Sequence, residues 1–322
     1  MAAGPMQDDA LAQDAPMEQG QPQAVSMERA LTFEVDGEQL LGILHPATAD
    51  AEPHRGLLLV VGGPQYRVGS HRQFLLLARH LAAAGIPVFR FDYRGMGDSS
   101  GPQRDFEHVN EDICAAIDRF QAESPGLQEV VIWGLCDAAS AALFYAWQDP
   151  RVSGLVLLNP WVRTEEGLAK AYLKGYYLRR LLSRDFWTSL VSGRVNPLAS
   201  LRSLAAMVRR VAGAGRASSA SSALGADATA PLEQRLPSGP LPERMAAGWR
   251  RFSGPILLIL SGDDLTAAEF RDVAAQSPAW QGLLDAPRVT RRELPEANHT
   301  FSRRIWRDQV ADWTRDWISS ST

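Results

Sequence analysis

The stretch that decides the fold is Val130-Val131-Ile132-Trp133-Gly134-Leu135-Cys136-Asp137-Ala138-Ala139. A short apolar run with strand character leads to Cys136, and an alanine-rich helical run, Ala138–Trp147, follows at once. A strand that turns this sharply into a helix needs small flanking residues, because the two elements approach closely. Gly134 supplies the first small position. Ala138 stands at the second, where glycine is usual, and adds only a methyl group. A thiol at the apex lies at a helix N-terminus, where the dipole and unpaired N–H groups favour a thiolate. A partner histidine would then complete a Cys–His pair. The bland alternative is that Cys136 is a small packing residue in a fold without catalysis. Ser140 is no substitute nucleophile, since it lies a full helical turn past the apex. Cys114 falls on the helical stretch Asp112–Phe120 and reads as packing.

Working outward, the same alternation repeats. Leu31–Val35 and Leu40–Leu44, joined by Asp36-Gly37, read as a hairpin. Leu57–Val61 is a continuous apolar strand ending in Gly62-Gly63-Pro64. Phe74–Ala84 has helical spacing, Pro87–Phe91 is a strand, and Gly154–Leu158 is another. Strands alternating with helices specify an α/β fold with a doubly wound, mostly parallel sheet, whose functional groups gather at the carboxyl ends of the strands. After Asn159-Pro160 the alternation stops. Residues 161–250 carry arginine- and aromatic-rich helical stretches and then a low-complexity segment, roughly Ala212–Pro242, which we expect to be flexible. The sheet resumes with Pro255–Leu260 and Arg288–Leu294 and closes with an amphipathic helix near Phe301–Ile318. The expected organisation is therefore a core of 28–160 and 251–322 with a helical cap insertion at 161–250. Residues 1–27 are too polar to bury a core and are expected to be disordered. Met27 opens the first patterned segment and is an alternative start.

Composition narrows the function. A net charge of −4 over 322 residues argues against a nucleic-acid partner, whose basic face would show. Two cysteines, Cys114 and Cys136, in no paired spacing exclude a disulfide framework and a zinc site, and suit a reducing cytoplasm. No apolar run reaches the ~18 residues a membrane span needs. No nucleotide or metal motif is present, so neither cofactor nor metal is expected. The glycine-rich Asp92–Ser99 lacks phosphate-loop spacing and reads as structural, with Arg94 and Asp98 bracing nearby loops.

The remaining chemistry follows the apex in chain order. Ser261-Gly262-Asp263-Asp264-Leu265 comes just past a buried strand, where a nucleophile–acid–histidine order places the acid. Asp264 is the better candidate because it sits deeper in the turn before the helix, while Asp263 can simply shape that turn. His299, in the loop after the last strand, is the candidate base, since the other histidines all precede Phe120. Acyl transfer also needs N–H donors for the developing oxyanion. The backbone N–H of Asp137 is one candidate, with Gly63 and then Gln65 from the loop after Leu57–Val61. A simple turn is the alternative reading of those glycines. The Arg179, Arg180 and Arg184 cluster reads as a solvated helix face, or alternatively as an anion grip for an acyl carrier.

Taken together, GGPQ (62–65), FDYRGMGDS (91–99), GLCDAAS (134–140), SGDDLTA (261–267) and ANHTF (297–301) resemble the α/β-hydrolase superfamily. More narrowly, VVGGPQYRVGSHRQF (60–74), WGLCDAASAAL (133–143) and VLLNPWVRTEEGLAKAYLKGYYLRRLLSRDFW (156–187) resemble the exosortase-A-system-associated hydrolase, type 1, a bacterial family accompanying an exopolysaccharide and protein-sorting system. The likeness spans Glu28 to Trp317. It implies a nucleophile at Cys136, a base at His299 and an acid at Asp264, with no defined substrate; the leading expectation is a cytoplasmic hydrolase or acyltransferase acting on an ester or thioester through an acyl-enzyme. It is similar in its elbow cysteine to dienelactone hydrolases, and departs from the serine usual in the superfamily. The competing expectation is a non-catalytic protein that uses the pocket to bind an acylated or glycolipid intermediate or a pathway partner.

Overall fold

The computed structural model of the chain describes residues 28–47, 53–63, 65–162 and 238–320. The expected N-terminal tail, most of the expected cap, its flexible segment up to 237 and the Arg179/Arg180/Arg184 cluster lie outside the described residues.

β1 (Arg29–Val35) and β2 (Glu38–His45) pair antiparallel, with Val35 opposite Glu38 across a two-residue turn. Asp36 and Gly37 both take positive φ there, 52° and 81°. This geometry is why a short polar residue followed by glycine marks the turn. β3 (Arg55–Val60), β4 (Val88–Asp92), β5 (Glu129–Leu135), β6 (Val152–Leu158), β7 (Ile256–Asp263) and β8 (Val289–Asn298) complete one eight-stranded sheet in the order β1-β2-β4-β3-β5-β6-β7-β8. From β4 to β8 every neighbouring pair is parallel. The carboxyl ends of β3, β5, β6, β7 and β8 therefore lie side by side along one edge.

Both faces of the sheet are covered, as a parallel sheet requires. Along β5 the side chains alternate. Val131, Trp133 and Leu135 pack on one face with α1 (Gln73–Ala83) and α6 (Arg304–Ser320). Val130 and Ile132 pack on the other with α2 (Asn110–Glu123), α3 (Asp137–Tyr145), α4 (Leu241–Arg251) and α5 (Leu265–Gln276).

One boundary differs from the sequence reading. Residues 241–250, expected to end the insertion, form α4 and pack in the second of these layers. Met245, Ala246 and Trp249 are fully buried. The Trp249 ring meets Trp280 edge-on at 5.5 Å, and a Cβ at Gly248 would come within 2.2 Å of the Leu143 carbonyl oxygen. The glycine thus lets α4 lie directly on α3.

The Asp92–Ser99 loop braces its surroundings. Arg94, with a side chain 1% exposed, reaches Asp112 at 2.6 Å and pairs with Asp36 of the hairpin turn. Asp98 accepts from Arg67 at 2.8 Å, and Asp92 accepts from the Arg67 backbone N–H at 2.7 Å, so this loop also holds the one that follows β3.

Candidate active site

The elbow forms at Cys136. Its φ and ψ are 64° and −123°, a conformation that costs a non-glycine residue on the order of 1–3 kcal/mol and persists only where the surroundings impose it. They do so from three directions. The Cys136 N–H donates to the Leu158 carbonyl at 2.9 Å, while its own carbonyl accepts from Ala139 N at 3.1 Å and Trp161 N at 3.1 Å. Gly134 has no room for a side chain, since a Cβ there would meet the Ala138 carbonyl group at 2.6 Å. Ala138 serves at the second small position. Cys136 itself is partly buried. Ser140 is fully buried and donates to the Trp161 carbonyl at 2.7 Å, which gives it a bracing part and removes it as a nucleophile.

The acid and the histidine meet. Asp264, at the end of β7, accepts at Oδ2 from Nδ1 of His299 at 2.9 Å, across 35 residues of sequence. Asp263 is exposed, and it is Asp264 that reaches the ring. Asp264 is also the N-cap of α5, accepting from Thr266 N at 3.2 Å and Ala267 N at 3.0 Å. Burial pushes its carboxyl up, but the His299 hydrogen bond and charge, with the two backbone donors, outweigh this and hold it below the usual carboxylate range. The His299 side chain keeps 35% exposure.

Asn159 is a residue the sequence reading used only as a boundary. It is fully buried at the end of β6 with a positive φ of 43°. Its Nδ2 donates to Ser261 Oγ at 2.8 Å and to the His299 carbonyl at 3.1 Å, and its Oδ1 accepts from Ser261 N at 2.9 Å. It therefore ties the acid strand and the histidine loop to the segment that also holds the elbow. An asparagine directly after a buried strand and before proline is the available sequence signal, and a weak one.

Two of the expected oxyanion donors, Gly63 and Gln65, are already engaged. Gly63 N donates to Asp137 Oδ2 at 2.9 Å, and Ala138 N lies 3.1 Å from Asp137 Oδ1. Gln65 spends its backbone N–H on the Gly63 carbonyl at 2.8 Å, so the tight turn removes it as a backbone donor. Among the described residues no cluster of His, Cys, Asp and Glu is placed to hold a metal, and no helix is long and apolar enough to cross a membrane.

Sheet order, elbow and an acid–histidine pair at one sheet edge define an α/β hydrolase. Residues 52–212, half of the chain, match the family described as serine aminopeptidase, S33, and the chain belongs to that family. No curated protein matches by sequence. Among solved structures it is similar to the Pyrococcus furiosus esterase Pf2001, with TM-score 0.59 and 14% identity over 91% of this chain and 90% of that one. It is similar to Est1E from Butyrivibrio proteoclasticus, solved with bound ferulic acid, with TM-score 0.54 and 12% identity over 91% and 99%. It is also similar to the α/β hydrolase GrgF from a Penicillium species, with TM-score 0.55 and 18% identity over 91% and 98%. At such identities the likeness is one of fold.

Proposed function

We propose that this hydrolase cleaves an ester or thioester through a covalent acyl-enzyme on Cys136, with His299 as base and Asp264 as its orienting acid. The observation that carries the reading is the 2.9 Å contact between His299 Nδ1 and Asp264 Oδ2, on the same edge as the strained elbow. An ionised carboxylate only accepts, so Nδ1 carries a proton and Nε2 keeps the lone pair.

In the first half-reaction His299 Nε2 takes the Cys136 Sγ proton. The thiolate forms a C–S bond to the substrate carbonyl carbon, and the carbonyl electron pair moves onto oxygen. As that oxyanion collapses, the bond to the leaving group breaks and the imidazolium proton goes to the departing alcohol or thiol. In the second, water gives a proton to His299 and its oxygen attacks the acyl-thioester. The C–S bond breaks, the acid leaves, and the proton returns to Cys136. Asp264 stabilises the imidazolium in both halves. An ester or thioester fits better than the peptide bond of the family's description. The carbonyl carbon of an ester or thioester is more electrophilic than that of a peptide bond, whose nitrogen lone pair is delocalised into the carbonyl. The likeness of the quoted motifs to the exosortase-A-associated hydrolases supports a part in exopolysaccharide production, and the two unpaired cysteines suit a reducing cytoplasm. A carrier-linked acyl donor is compatible with the arginine cluster at 179–184.

One observation favours a second reading, a non-catalytic binding protein. The Gly63 N–H that would receive a substrate oxygen already meets a carboxylate. The two readings separate under a thiol-alkylating probe. Catalysis predicts that Cys136 is labelled in the native protein and that His299→Ala slows labelling by about tenfold or more. Equal labelling of both proteins would overturn it.

A further inference from the structure

One backbone donor that acyl transfer needs, the Gly63 N–H, is filled from within the chain, by the carboxyl of the residue whose own N–H is the other candidate. Gly63 N reaches Asp137 Oδ2 at 2.9 Å, and Ala138 N reaches Oδ1 at 3.1 Å. The site is shaped around this carboxyl group. A Cβ at Gly62 would lie 2.2 Å from Asp137 Oδ1, so only glycine at 62 lets the carboxyl lie against the loop after β3. Gly63 follows with a positive φ of 61°, in a loop pinned through Arg67 to Asp92 and Asp98. A carboxylate oxygen among backbone N–H groups beside the elbow resembles, in charge and hydrogen-bonding demand, the oxyanion of a tetrahedral intermediate.

We propose that the Asp137 carboxyl is an internal stand-in for the reaction's oxyanion, one that keeps the donor site formed and closed until an acyl carbonyl displaces it. The inference rests on the catalytic reading above and adds a residue that determines which ligands gain entry. Filling the site satisfies buried donors that would otherwise stand unpaired in the resting protein. Entry requires a carbonyl oxygen to take over the Gly63 N–H while the Asp137 side chain turns aside, and no covalent bond changes in that step. Burial pushes the Asp137 carboxyl up in pKa, against the Gly63 and Ala138 N–H groups and the charge of His299, so its hold is weaker than that of a fully stabilised carboxylate. The buried phenol of Tyr93 also feels its charge. A carboxylate that remains beside the pocket after displacement also disfavours acyl groups bearing their own negative charge.

Two readouts on the full chain test this. The first is amide hydrogen exchange at Gly63 in the resting protein, compared with Asp137→Asn and Asp137→Ser. Occupancy predicts exchange at Gly63 faster by about tenfold or more in Asp137→Ser, with Asp137→Asn between the two because its amide oxygen can still accept. Unchanged exchange in Asp137→Ser would overturn the occupancy. The second is inhibition by an aryl trifluoromethyl ketone, which adds a thiol to give an oxyanion. Displacement predicts binding about tenfold or more tighter in Asp137→Ser than in the parent protein. Weaker binding would overturn the stand-in, since the carboxyl would then be supporting the oxyanion site instead of closing it. Failure of every protein to form the adduct would overturn the thiol chemistry and the displacement step with it, whereas Gly63 exchange separately reports whether the carboxyl fills the site.

Discussion

The Asp264 carboxylate holds the His299 ring at 2.9 Å and at the same time caps α5 through Thr266 and Ala267. One side chain thus anchors a helix and sets a tautomer. These two duties can be separated by mutation. Asp264→Asn keeps a good cap and loses the negative charge, so we expect near-parental stability with turnover lower by on the order of 10²–10⁴-fold. Asp264→Ala should lose activity and also about 1–2 kcal/mol of stability. Urea midpoints beside initial rates check the split.

Asn159 supports the histidine loop from below. Asn159→Ala leaves the Ser261 N–H and the His299 carbonyl without their buried partner, at about 1–3 kcal/mol for each orphaned group. We expect a clear fall in urea midpoint together with slower alkylation of Cys136, because the imidazole loses its fixed position. Parental alkylation in a folded Asn159→Ala protein would show that the loop holds itself.

Arg94 is a buried cation, facing Asp112, Asp36 and Glu111. Arg94→Met strands Asp112 in the interior, and the loss should reach about 3–5 kcal/mol near neutral pH. Burial already raises Asp112 to about 6 against the pull of Arg94. Without the arginine the carboxyl protonates at still higher pH, so thermal melts should show a smaller loss at pH 5 than at pH 8.

His45 makes stability fall on the acid side of neutrality. Burial first, and then the Arg90 charge, lower its pKa from 6.5 to about 4. Between those values the unfolded chain binds a proton that the folded chain does not, so stability declines as pH falls from about 6.5 toward 4, by about 2 kcal/mol at pH 5. His45→Gln should flatten this limb of the urea-midpoint profile.

Much of this architecture was legible in the residues. The hairpin was marked by Asp36-Gly37, and the elbow was marked by a strand running through Gly134 into alanines, because close approach leaves few residues that fit. Chain order singled out His299 and the Asp263-Asp264 pair, and depth in the turn before the helix favoured Asp264. Three features were not legible. Helix α4 follows a low-complexity stretch, and its place in the core is decided by Trp280 and the α3 backbone, partners distant in sequence. The part played by Asn159 depends on hydrogen bonds to residues 102 and 140 positions away. The engagement of Gly63 by Asp137 spans 74 positions and depends on a side-chain rotamer, which no local pattern encodes.

The most direct test of the account is intact-protein mass spectrometry with peptide mapping after mixing with an activated acyl ester such as p-nitrophenyl acetate. The account predicts a single transient acyl group on Cys136, absent in Cys136→Ala and accumulating poorly in His299→Ala. Ester turnover that survives Cys136→Ala at the parental rate, with no acyl group on the cysteine peptide, would contradict it.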